Sequence, residues 1–427
     1  VSAPHINGMA PSDNGAGKIK AISAKIQDAA ARSLFDAVTL PPAAYTDEDY
    51  FDFEAKQVLE TGWMCVAHVS ELKEPGSFVA IDLLGEPLVI TRDEKNAVHV
   101  LSRVCPHRAM DIIPEGFDVP RSGTAKRLTC PYHLWAFNLD GSVKGCPLME
   151  RAENFNEDEW QLASFRSEVW NGFVFVNFDG KAAPVAEQYA DLGKGIAAWN
   201  TGEMEIAIKL DWDCEFNWKV MIENWIESYH HIGAHSETLN PSMPAQNTWI
   251  EPEHPHFIRA HLPFKKRIRD EFEEKLSKGE ALPGFRTIPG LTLDNYTEWG
   301  LYLGFPCFMV MATYDRVIWY TLMPLSAGRC KLHTMVLVSK ESLEAPNYAE
   351  TVETETKALI GFHQEDILVN TGVQRGLHSR KVVQGRLSHL EEPVWLVYRY
   401  LAARLNGTYV QRAVRAPYSG PLAAAAE

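Results

Sequence analysis

Two periodicities alternate along the chain. Residues 18–38, KIKAISAKIQDAAARSLFDAV, place Ile19, Ile22, Ile26, Leu34 and Val38 at roughly helical spacing, which predicts a helix closed by Pro41-Pro42. DEDYFDFEAKQVLET (47–61) predicts a second helix, acidic in its first turn and followed by Gly62. From residue 77 the period shortens. SFVAIDLLGEPLVITRDEKNAVHVLSRVC (77–105) alternates short β-rich runs with the turns Gly85-Glu86-Pro87 and Asp93-Glu94-Lys95-Asn96. The same texture runs through LWAFNLDGSVKG to VWNGFVFVNFDG (169–180), so residues 45–180 are expected to form a small all-β domain. After Pro184 the pattern is mixed: helices near 185–199 and 216–232, strands over 299–340, a polar helix at 347–369 and another at 390–405. Strands framed by helices predict an antiparallel sheet flanked by helices over 181–427, and an α+β class for the whole. Residues 1–44 are expected to supply a leader and helices that pack on this second domain.

Composition narrows the picture. A chain of 427 residues is longer than one core usually serves, so two domains are expected. No apolar run is long enough to span a bilayer. VSAPHINGMAPSDNGAGK at the start lacks the basic-then-apolar pattern of a secretory signal and is expected to be a flexible leader. The net charge of -15 argues against nucleic-acid binding, which needs a basic face, and suits a soluble cytoplasmic protein. Seven cysteines, an odd number, make a disulfide framework unexpected; five of them read as buried small apolar residues.

The other two cysteines stand beside histidines. CPHRAM (105–110) and CPYHLW (130–135) give Cys105-x-His107 and Cys130-x-x-His133. Two Cys-His pairs on tight turns could hold one zinc or a two-iron cluster. Zinc fingers usually keep the two cysteines in one pair and the two histidines in the other. Mixing the types in each pair suits a Rieske [2Fe-2S] cluster, with two thiolates on one iron and two imidazoles on the other.

A second candidate lies at ENWIESYHHIGAHSE (223–237). A catalytic non-heme iron wants two histidines and a carboxylate on one face, with positions left open. His231 and His235 are four apart and would share a helical face. His230 and His235 are five apart, about 140° around an ideal helix. Helix geometry alone prefers His231, unless the helix breaks near Gly233. Glu227 lies three residues before His230, where it could hold that ring's other nitrogen.

The loops CPHR and CPYH-x-W resemble the Rieske domain of the Rieske non-heme iron oxygenases, the aromatic-ring-hydroxylating dioxygenase family, in its large (alpha) oxygenase subunit. The resemblance extends to NWKVMIENWIESYHHIGAH (217–235) and HQEDILVNTGVQRGL (363–377). It implies that Cys105, His107, Cys130 and His133 hold the [2Fe-2S] cluster, and that His230, His235 and Asp366 hold a mononuclear Fe(II). It also places Glu227 as a bridging carboxylate on the electron path, Asn224 near the iron, His231 as a packed neighbour and Glu365 as a solvent-facing one. Two departures stand out: the connection from Arg108 to Thr129 is longer than usual, with an excursion expected near PRSGTAK, and Leu134 stands where the family has Gly.

The resemblance implies a terminal oxygenase that activates O2 on electrons relayed by the cluster. A ferredoxin or flavin reductase would supply them, drawing on NAD(P)H. A homotrimer or α3β3 assembly is implied, with the cluster of one subunit near the iron of the next, and neither nucleic acid nor membrane as partner. Phe305, Phe308, Met309, Met311 and Trp319 on the apolar strands are candidates for a pocket, two or three of which would touch substrate. They suit a hydrophobic, aromatic small molecule. Glu at 227, where many members have Asp, brings in a second reading: oxidative dealkylation, or action on a quaternary amine. A Rieske electron carrier without oxygenase activity, or a zinc-stabilised binding protein, would lack the second metal constellation.

Overall fold

The computed structural model describes residues 13–410. Most of the expected leader, and the terminal PLAAAAE, lie outside them; residues 13–18 are already helical. Helix α1 (Asp13–Ala31) ends seven residues before Val38. The reason is tertiary: residues 37–39 give their backbone to a distant segment, with Thr39 N–H donating to Gly385 O (3.0 Å) and Leu387 N–H to Ala37 O (3.1 Å). Helix α2 (Glu48–Glu54) starts where expected, because the Asp47 side chain accepts from Tyr50 N–H at 2.9 Å. It continues as a π-turn over Ala55–Leu59.

Seven strands follow the short-period texture: β1 (Met64–His68), β2 (Ser77–Leu83), β3 (Glu86–Arg92), β4 (Val98–Ser102), β5 (Ser122–Thr124) and, after a small sheet, β9 (Ser164–Trp170) and β10 (Phe173–Asn177). They form one antiparallel sheet in the order β1-β10-β9-β4-β3-β2-β5. The excursion near PRSGTAK is β5, which pairs with β2. The small sheet is β6 (Leu128–Thr129), β7 (Ala136–Phe137) and β8 (Val143–Gly145).

The second sheet runs β11 (Glu205–Cys214), β17 (Arg329–Val338), β16 (Val317–Ser326), β15 (Phe308–Ala312), β14 (Glu298–Gly304), β13 (Phe257–Pro263), β12 (Trp249–Ile250), all antiparallel. Strands β11, β12 and β13 lie outside the range read as strands from sequence. Helices α3 (Trp218–Ile226), α4 (Lys266–Ser277), α5 (Tyr348–Leu377) and α6 (Glu392–Leu405) complete the α+β fold. The alternation of a strand sends successive side chains to opposite faces, and here both faces are covered. Phe308, Val310, Trp319 and Tyr302 pack against Phe173, Phe175 and Tyr189. Met309, Met311, Ile318 and Tyr320 join the core shared with α1, α3 and α6. That split divides the pocket candidates. Phe308 and Trp319 face the other sheet, and Phe305 stacks on Tyr400 (4.2 Å, 10°), leaving Met309 and Met311 on the face that α3 and α5 cover.

Candidate metal centres

The two Cys-His loops have the same backbone. In the first, Cys105 N–H donates to Met110 O (2.8 Å) and Ala109 N–H to Cys105 O (3.0 Å); in the second, Cys130 N–H donates to Trp135 O (2.8 Å) and Leu134 N–H to Cys130 O (3.1 Å). The fifth residue of each loop is left-handed, Ala109 at φ 55° and Leu134 at φ 61°. Glycine adopts that region without strain, so Leu134 holds the turn at a cost a glycine there would avoid. The loops bring the His107 and His133 rings to 4.6 Å between centroids, with His107 stacked on Trp135 (4.8 Å, 7°). Cys105 and Cys130 approach within hydrogen-bonding reach of each other, and both are buried. His133 Nδ1 is buried with no partner among the described residues. Two buried thiols and an orphaned imidazole nitrogen facing one space fit a mixed-ligand cluster. Around it Tyr132 and Leu134 are exposed, with the exposed Arg108 guanidinium over the Tyr132 ring (5.4 Å).

The second centre rests on α3, α5 and the loop between α3 and β12. Helix α3 ends at Ile226, and Glu227 is extended (φ -115°, ψ 164°). The helix therefore breaks at Glu227, not near Gly233, and a single 3-10 turn, Tyr229–Ile232, carries His230 and His231. The break frees the five-residue spacing: His230 and His235 rings lie 5.0 Å apart. Asp366 on α5 meets both, its Oδ1 at 3.0 Å from His235 Nε2 and 3.6 Å from His230 Nε2.

Behind each ring stands another carboxylate. Glu227 Oε1 accepts from His230 Nδ1–H at 2.6 Å, and its Oε2 accepts from the His230 backbone N–H at 3.1 Å. Glu365 Oε2 accepts from His235 Nδ1–H at 2.6 Å and from the Thr238 hydroxyl at 2.7 Å. A carboxylate only accepts, so each Nδ1 carries the proton and each Nε2 is turned toward Asp366. Glu365 is thus not the solvent-facing neighbour the sequence suggests; sitting on the helix beside Asp366, it takes the ring of the other histidine. Without a metal, burial lowers the pKa of His235, but its bonds to Asp366 and Glu365 outweigh burial and raise it. Burial likewise pushes the Asp366 carboxyl up, and the bond from His235 with the charge of His230 holds it below its usual range. Two imidazole nitrogens and one carboxylate oxygen converging on one point fit a facial iron site with open positions.

His231 belongs to the same cluster, since ligand atoms of His230, His231 and His235 all lie within 4.8 Å. Its ring, however, is bonded to the backbone of Met243, and burial depresses its pKa to about 3. Asn224 is held by Asn370, whose Nδ2 donates to its Oδ1 at 3.4 Å. Gln374, in the VQRG stretch, is a brace: it accepts from Asn217 N–H at 3.0 Å and donates to Tyr45 O at 3.1 Å, fixing α5 to the start of α3. Nothing lies within 4 Å of a Cβ built on Gly376, so the structure gives no reason for glycine there. Thr238 escaped the sequence reading and Glu365 was given the wrong role in it; the adjacent acids Glu365-Asp366 were the one available signal.

Comparison with known proteins agrees with this division. Residues 62–166 match the family described as Rieske [2Fe-2S] domain, and residues 201–407 match the catalytic domain of the ring hydroxylating alpha subunit. The carnitine monooxygenase oxygenase subunit of Escherichia coli (strain K12) is 29% identical over 81% of this chain and 86% of its own length. The glycine betaine monooxygenase oxygenase subunit of Chromohalobacter salexigens is 26% identical over 83% and 82%. The benzene 1,2-dioxygenase alpha subunit of Pseudomonas putida is 29% identical over 48% and 46%. Among solved structures, a quaternary ammonium Rieske monooxygenase in complex with L-carnitine superposes with a TM-score of 0.71 at 24% identity, over 89% of this chain and 98% of that one. Naphthalene 1,2-dioxygenase gives 0.67 at 18%, over 89% and 95%.

Proposed function

The chain belongs to the Rieske oxygenases, joining a Rieske [2Fe-2S] domain to the catalytic domain of the ring-hydroxylating alpha subunits, and from that premise we propose that it oxidises a small quaternary ammonium compound. It is a terminal oxygenase component whose cofactors are the [2Fe-2S] cluster and a mononuclear iron. The observation that carries the substrate reading is the extent of the match: the carnitine and betaine monooxygenase subunits align over more than four-fifths of the chain, the benzene dioxygenase subunit over about half. Chemistry near the metal residues supports it. Trp225 and Tyr320 rings meet edge to face (5.5 Å), with Trp212 close by across His363. Aromatic faces attract a quaternary ammonium, which has no N–H to donate. The aromatic-hydrocarbon reading of the sequence has less support.

We assign residues 62–180 to the cluster domain and 181–427 to the catalytic domain; the expected boundary at 45 moves because helix α2 packs on the catalytic side, with Trp218 Nε1–H donating to Glu54 (2.9 Å), as does the described chain before it, with Trp395 Nε1–H donating to Arg32 O (3.0 Å). Cys105, His107, Cys130 and His133 would hold the cluster, and His230, His235 and Asp366 the iron. Bound iron supplies open positions at which O2 is reduced beside substrate. Glu227 and Glu365 fix the tautomer and direction of the two rings. Glu227 also serves as the electron path, accepting hydrogen bonds from His230 and from His133 of the partner subunit in a trimer. Apolar Tyr132 and Leu134 at the cluster tip and Tyr229, Ile232 and Leu368 beside the second centre are exposed, as complementary docking faces would be. Seven cysteines free of disulfides suit the cytoplasm and its reductases.

Substrate-dependent oxygen uptake by the reconstituted system tests the reading. L-carnitine, glycine betaine or choline should stimulate uptake, and benzene and naphthalene should not. Stimulation by the hydrocarbons alone would overturn it.

A further inference from the structure

His363 lies on α5 one turn before Asp366, and the metal site does not use it. Its ring is buried, stacked on Tyr320 (5.4 Å, 23°) and flanked by Trp212 (5.7 Å) and Phe362 (4.5 Å). Neither ring nitrogen has a partner among the described residues, and Trp212 Nε1 beside it has none either. Leaving buried polar atoms unmet is costly, and phenylalanine would fill the same space without that cost. Burial depresses the His363 pKa to about 4, so the ring is neutral and offers one N–H and one lone pair. Its surroundings are the meeting point of five elements: Trp212 on β11, Tyr320 on β16 next to Met309 on β15, Trp225 on α3, and α5 itself.

A quaternary ammonium group cannot satisfy an imidazole, because it neither donates nor accepts a hydrogen bond. The polar end of such a molecule can. We propose that His363 is a specificity-determining residue that hydrogen-bonds the oxygen-bearing end of the substrate, a carboxylate or a hydroxyl, while the neighbouring aromatic rings take the cationic end. The assignment rests on the quaternary ammonium reading above. A carboxylate would use the ring N–H; a hydroxyl could use either nitrogen.

The test compares metal-loaded wild type with His363→Phe and His363→Gln, titrated anaerobically by calorimetry with glycine betaine, choline and tetramethylammonium. His363→Phe should weaken glycine betaine or choline at least tenfold and leave tetramethylammonium within twofold. His363→Gln, which keeps a donor and an acceptor, should recover most of the loss. Whichever of the two oxygen-bearing probes loses affinity identifies the group bound. The visible spectrum and iron content of His363→Phe should match wild type, and its Tm should be no lower, since it removes unmet polar atoms. Equal loss for all three probes, or no loss, overturns the assignment while leaving the function in place. Wild type that binds none of the three overturns the quaternary ammonium reading and the assignment with it.

Discussion

At the scale of single residues, the second centre assigns three acids three different tasks. Asp366 faces both Nε2 atoms, Glu227 holds one ring from behind and Glu365 the other. Such partners fix ring orientation and raise ligand basicity, and their loss typically costs about 10–100-fold in metal affinity. Glu365→Ala should therefore lower retention of the mononuclear iron by roughly that factor in a chelator titration, with the Rieske spectrum unchanged. Equal retention would show that the bond from His235 is incidental. Asp366 and the histidine pair were legible only through the family pattern; helical spacing alone favoured His231. Glu365 was misread because an acid that keeps a third of its side chain exposed can still reach a buried ring.

At the scale of elements, α3 is the hinge of the design. Its first turn is buried and polar: Lys219 pairs with Glu54 at 2.5 Å, both at 0% exposure, and Trp218 Nε1–H donates to the same carboxylate at 2.9 Å. One turn on, Glu223 accepts from the Tyr45 hydroxyl at 2.7 Å. Burial pushes the Glu223 carboxyl up to about 8, against the pull of Tyr45, Lys219 and Tyr398, with Glu54 adding to the rise. The folded chain thus keeps a proton that the unfolded chain releases above its ordinary value of 4.5. Stability should fall as pH rises from that value to about 8, by an amount on the order of a few kcal/mol, and then level off. Denaturant melts of wild type and Glu223→Gln at pH 6 and pH 8.5 check this. The variant should lose less stability between the two; parallel losses would rule Glu223 out as the cause. The length of α1 and the break in α3 were not legible, for one reason: residues 37–39 and 227–230 are claimed by distant or side-chain partners that no local period encodes. Strands β15 and β16 were legible because they are near-continuous apolar runs, whereas β11 alternates with charged residues and reads as surface.

At the scale of the molecule, one sheet serves two masters. One face of β14–β16 packs on the cluster-bearing sheet through Phe173 and Phe175, and the other joins the core shared with α3, beside which His230, His235 and Asp366 converge. The exposed Tyr132 and Leu134, and Tyr229, Ile232 and Leu368 beside Glu227, are the faces that the proposed subunit boundary would bring together, with Glu227 as the proposed point of electron entry. The most direct test is a single-turnover experiment on wild type and Glu227→Gln, both with the cluster reduced in advance and then mixed with substrate and O2. The account predicts that the variant retains three irons per chain and a normal Rieske spectrum, while substrate-triggered oxidation of its cluster slows by at least a hundredfold. Cluster oxidation at the wild-type rate in Glu227→Gln would contradict it.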